Sequence, residues 1–88
     1  MLRFSGVYGN YNVDVYPDPI YDDNSEIWHR VIIEKFTPTG KWLGKRSVYF
    51  SDYAYLTSEF TSENVETLWT LPMNAKVVDV KTTWKTTK

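Results

Sequence analysis

A chain of 88 residues is long enough to bury a core without disulfides or metals and too short for two ordinary domains, so a single domain spanning residues 1–88 is expected. It contains no cysteine, which excludes a disulfide framework, a zinc ribbon or finger, and thiol redox chemistry. A net charge of −1 argues against a protein whose main task is to coat a phosphate backbone, because that affinity comes from many basic contacts.

The first segment, Met1-Leu2-Arg3-Phe4-Ser5-Gly6, runs straight into alternating strand-like sequence. No apolar stretch is long enough for a signal peptide or a membrane span, and no Asn-x-Ser/Thr acceptor occurs, so a cytoplasmic protein without a membrane partner is expected. Tyr8-Gly9-Asn10-Tyr11 offers a two-residue Gly-Asn hairpin loop. Pairing Tyr8 with Tyr11 sets Gly6 opposite Val13, Phe4 opposite Val15 and Leu2 near Pro17 on one apolar face. A slip of a single residue would turn that face to water, so the pattern specifies the register.

From Tyr16 to Ser25, two prolines and three aspartates interrupt any period, and this acidic stretch is predicted as a loop. It lacks the central Gly and distal Glu of a calcium loop, so the sequence predicts a solvated turn and no metal site. A second hairpin is expected from about Glu26 to Ser51, around Thr37-Pro38-Thr39-Gly40, with Phe36 opposite Lys41 and Trp28 opposite Tyr49. One of its faces holds Ile27, His29, Val31, Ile33 and Lys35 beside Trp42, Gly44, Arg46, Val48 and Phe50. The other mixes aromatics with cations, so the hairpin is expected to lie centrally, with both faces at least partly covered. Ile32 and Leu43 on that mixed face are predicted to be core.

After Ser51 the period changes. Tyr53, Leu56 and Phe60, then Val65, Leu68 and Trp69, step by three and four, which predicts one or two short helices with Ser51 and either Thr61 or Ser62 as N-caps. Pro72 ends the second helix, Lys76 to Trp84 alternates as a final strand, and Lys85-Thr86-Thr87-Lys88 is expected to fray. The predicted fold class is α+β and β-rich: an antiparallel four-strand meander of two hairpins, one or two short helices, then a C-terminal strand, in the order β-β-β-β-α-β.

Catalytic equipment is sparse. There is no nucleophile elbow, phosphate-cradling glycine loop, dinucleotide fingerprint or His-Glu-x-x-His, and the single His29 sits on the apolar side of a strand, where a hydrogen-bonded structural role is expected. No enzymatic activity and no cofactor are predicted. Aromatic residues make up 17% of the chain, a type that dominates binding surfaces. Charges come in alternating blocks, acidic from Asp14 to Glu26 and basic from Arg30 to Arg46, a pattern suited to internal pairing and solubility. The candidate partner-binding residues are Trp28, Arg30, Lys41, Trp42, Lys45 and Tyr49, because aromatic anchors beside cations supply interface affinity.

Four strands followed by a helix, with Gly44-Lys45-Arg46-Ser47-Val48-Tyr49-Phe50 leading into Ser51-Asp52-Tyr53-Ala54-Tyr55-Leu56, resembles the single-strand DNA-binding domain of the eukaryotic transcriptional coactivator positive cofactor four over roughly half of the chain. That resemblance implies single-stranded nucleic acid as an alternative partner, stacked on Trp28 and Tyr49 beside Arg30, Lys41 and Lys45. The strand after the helix and the acidic first third depart from the family's pattern. The leading expectation is a small non-catalytic protein that binds another protein, of the kind a phage or mobile element uses to inhibit or retune a host protein. Self-association into a homo-oligomer through the same face or an open strand edge is the third.

Overall fold

A computed structural model describes residues 4–57, 59–79 and 85–87. The strands are β1 (Phe4–Tyr8), β2 (Tyr11–Tyr21), β3 (Ile27–Phe36) and β4 (Trp42–Ser51), followed by helices α1 (Asp52–Thr57) and α2 (Ser62–Trp69), then β5 (Lys76–Asp79) and β6 (Lys85–Thr87). They form one sheet in the order β1-β2-β3-β4-β5-β6. The first four strands are the predicted antiparallel meander, and β5 pairs parallel to β4 after the helical crossover that parallel neighbours require. The tail expected to fray instead pairs antiparallel with β5 through Lys85–Thr87, while residues 80–84 of the predicted final strand lie outside the described residues.

The first hairpin has the predicted register, with Phe4 opposite Val15, Gly6 opposite Val13 and Tyr8 opposite Tyr11; Leu2 lies outside the described residues. The loop predicted from Tyr16 is largely strand. β2 continues to Tyr21 through an irregularity between Val15 and Pro19, and only Asp22 to Glu26 turns the chain. Proline is tolerated here because Pro17 lies within that irregularity and Pro19 at its end, where the ladder with β3 is interrupted.

Two of the turns share one chemistry. In each, the first residue accepts a backbone hydrogen bond from the fourth and also uses its side chain to hold a backbone N–H. Gly40 N donates to Thr37 O and Lys41 N to Thr37 Oγ1; Ser25 N donates to Asp22 O and Glu26 N to Asp22 Oδ1. The fourth residue takes positive φ in both cases, which Gly40 adopts freely at +94° but Ser25, at +62°, does not. Ser25→Gly should therefore raise the thermal unfolding midpoint, with a gain of about 0.5–1 kcal/mol after the added chain entropy of glycine is subtracted.

The second hairpin departs from the predicted pairing. Thr37 N donates to Lys41 O, which closes the turn one residue later than expected, and a bulge at Leu43 then sets Phe36 opposite Trp42 but Lys35 opposite Gly44. Together these slide β4 by two positions, so Tyr49 faces Arg30 and Trp28 faces Ser51. A two-residue slide keeps every side chain beyond the bulge on its predicted face. Trp42, before the bulge, is moved to the opposite face, and Leu43 stands exposed rather than in the core.

The helices cover one face of the sheet. Val13, Val15, Val31, Ile33, Val48, Phe50 and Val77 are fully buried there beneath Ala54, Val65 and Leu68, and each such side chain contributes about 1.5–3 kcal/mol by leaving water. Ser51 Oγ accepts from Ala54 N and Thr61 Oγ1 from Asn64 N, so both helices begin at hydroxyl caps, as the sequence predicts. Trp69 reaches back over Gly44, and the cations of Lys35 and Arg46 stand 5.8 and 5.3 Å from its ring. His29 is buried on this face, stacked on Tyr55 and 3.1 Å from Asp52 Oδ1.

Candidate functional site

Alternation along the strands sends the remaining side chains to the opposite face, which no described helix covers. Its rows run across the strands from the hairpin tips to the base. Val7, Asn12, Glu34 and Lys45 align in the first, Asp14, Ile32 and Ser47 in the next, Arg30, Tyr49 and Lys76 in the third, and Ile20, Trp28 and Ser51 in the last. Val7, Ile20 and Trp42 remain exposed on it.

At the base, the extended β2 and its turn fold over Trp28. The indole Nε1 donates to Asp22 Oδ2 at 3.0 Å, Lys76 Nζ lies 5.0 Å from the ring centroid, and Lys76 also approaches Asp22 Oδ2 at 3.8 Å. Trp28 is thus only 7% exposed. It is sealed by its own neighbours on the open side of the sheet, not by the helices. Ile20, Asp22, Trp28, Tyr49 and Lys76 line an open depression of about 100 Å³. Beside it, Tyr16, Asp18, Pro19, Ile20 and Arg30 line a second of about 230 Å³. Ile20 is the ridge between them.

Asp22 ties this corner together. Its carboxylate accepts from the Trp28 indole and from the backbone N–H groups of Glu26 and Asn24. Those bonds, Trp28's first, and the Lys76 charge hold its carboxyl below the usual carboxylate range against the opposing effect of partial burial. Because the folded group titrates below 3.8, its contribution to stability is complete above that value and is lost as pH falls through the lower folded one. Acid unfolding followed by tryptophan fluorescence should show a loss of stability below pH 3.8 that Asp22→Asn removes, while the same substitution weakens the fold at neutral pH.

The six residues singled out from sequence fall into two groups on this face. Trp28, Arg30 and Tyr49 gather at the base. Lys45, Trp42 and Lys41 lie toward the hairpin tip, roughly 15–25 Å away at the rise of a β-strand. Trp42 Nε1 donates to Glu34 Oε2 at 3.1 Å, and Lys41 is exposed in the turn. Sequence analysis missed Ile20, Asp22 and Lys76. The first two stand in a stretch that reads as loop, and Lys76 reaches Trp28 only through the parallel pairing of β5. A further depression of about 370 Å³ lies between the two hairpin turns, lined by Val7, Tyr11, Phe36 and Pro38 among others.

Among the described residues no three His, Asp or Glu side chains cluster to hold a metal ion, and no helix is long and apolar enough to cross a membrane. Comparison with protein-family models, with curated proteins and with solved structures finds no match to this chain.

Proposed function

We propose that the protein is a non-catalytic binding module that engages another protein through the uncovered face of its sheet, as an inhibitor or modulator of that partner. The observation that carries this is the asymmetry of the sheet. One face is closed by α1 and α2, while the other bears exposed Val7, Ile20 and Trp42 around half-buried Ile32 and Tyr49. Apolar anchors and shallow depressions on a rigid, already paired sheet meet a partner at little ordering cost. Single-stranded nucleic acid is the less supported partner, because a phosphate backbone draws its affinity from many basic contacts and the chain's net charge is −1.

The test is capture of a stoichiometric protein partner by the wild type and by Ile32→Gln, which replaces the apolar side chain at the middle of the open face by a neutral polar one of similar size without entering the core. Capture should fall at least tenfold while the thermal midpoint stays close to that of the wild type. Undiminished capture by Ile32→Gln would place the contact elsewhere.

A further inference from the structure

The charges of the open face are unevenly satisfied. Three of its carboxylates are engaged by the fold: Asp14 accepts from Ser5 Oγ at 2.8 Å, Glu34 accepts from the Trp42 indole at 3.1 Å and the Asn12 amide at 3.4 Å, and Asp22 is held by Trp28, its own turn and Lys76. The cations differ. Arg30 and Lys45 are exposed, and neither reaches a carboxylate within ion-pair distance among the described residues, even though Lys45 pairs across the strands with Glu34. A carboxylate that already accepts from its own fold has less to offer a partner, whereas a free guanidinium keeps its paired donors for planar carboxylate recognition.

Resting on the proposal that this face binds protein, we infer that its partner presents an acidic segment, with carboxylates on Arg30 and Lys45 and an apolar residue between them over Ile32. Arg30 and Lys45 are separated by four residues along the sheet and one strand across, roughly 14 Å. That separation matches acidic side chains four residues apart in an extended segment, which rise about 13 Å and point to the same side. Asp18, at the margin of the Arg30 depression, sets a limit on how far the acidic run extends in that direction, since it repels further carboxylates.

The experiment is selection from a random dodecapeptide library displayed on phage, with amide chemical shifts of the labelled protein locating each enriched peptide and an oligothymidine dodecamer as a competitor. The expected result is enrichment of Asp or Glu at a spacing of four around an apolar residue, with shifts at Ile32, Ser47 and Tyr49. Affinity should fall at least tenfold in the doubly substituted Arg30→Glu, Lys45→Glu protein, which should itself select Lys- and Arg-bearing peptides. Both side chains are exposed, so an unchanged amide spectrum elsewhere establishes that this variant is folded. Peptides that map to the open face without acidic enrichment overturn the acidic specificity and leave the binding face standing. Enrichment only of peptides that shift α1 and α2, or no enrichment at all, overturns both. Displacement of the acidic peptide by oligothymidine at equal or higher affinity overturns the inference in favour of nucleic acid.

Discussion

Trp28→Ala is expected to destabilise the domain by about 3–5 kcal/mol, the range for removing a buried large aromatic, out of the about 5–15 kcal/mol that holds a whole domain together. The size follows from what the ring does. It is 7% exposed although no described helix lies above it, because Ile20 of the extended β2, Asp22 of the following turn and Lys76 of β5 close over it. Removing it leaves the Asp22 carboxylate without its indole donor and the Lys76 ammonium without its ring. Trp28→Phe separates these effects. It keeps most of the apolar area but abolishes the Nε1–Asp22 bond, which should cost about 1–2 kcal/mol. Urea unfolding of the three proteins gives the ordering; a Trp28→Ala loss under 1 kcal/mol would mean that the indole lies open to water.

Phe50→Ala should be comparably severe on the other side of the sheet, at about 3–5 kcal/mol. Phe50 is fully buried, pairs with His29 across the strand and with Val77 in β5, and lies 6.0 Å from the Phe60 ring at an interplanar angle of 14°. It is therefore the residue on which the meander, the crossover strand and the segment between the helices converge. The cavity left by its truncation cannot collapse without moving β4 against β5. The two substitutions differ in consequence. Phe50→Ala should reduce the folded fraction and leave the partner affinity of the folded molecules unchanged, whereas Trp28→Phe should weaken the partner more than it weakens the fold, since it frees Asp22 and the turn that hold Ile20, the ridge between the two basal depressions.

How far the residues announced this arrangement varies along the chain, for physical reasons. The first hairpin was legible over its described register, Phe4 to Val15, because Gly9-Asn10 favours a tight loop and the valines of β2 must all face one way. Both helix starts were legible through their hydroxyl caps. The second hairpin was legible in its faces but not in its pairing. Whether Thr37 pairs with Lys41, and whether Leu43 is extruded, depends on a positive φ at Gly40 and on the twist of the strands, and neither shifts the hydrophobic alternation. The acidic loop was misjudged because proline usually marks a strand's end, yet Pro17 and Pro19 fall in the irregularity of the β2–β3 ladder, where missing N–H groups are tolerated. That misjudgement concealed most of the basal site. Its floor was named from sequence as Trp28, Arg30 and Tyr49, whereas its wall, Ile20 and Asp22, belongs to the stretch taken for loop. Lys76 depends on a parallel pairing that no local pattern encodes.

The most direct test of the account is hydroxyl-radical labelling of the free protein and of its complex with the captured partner. Both faces carry exposed apolar side chains to report, Val7, Ile20 and Trp42 on the bare sheet and Tyr53, Leu56 and Met73 on the helical side. Protection of the first three with continued labelling of the last three is the predicted outcome. Protection of Tyr53, Leu56 and Met73 with Ile20 and Trp42 still labelled would contradict it.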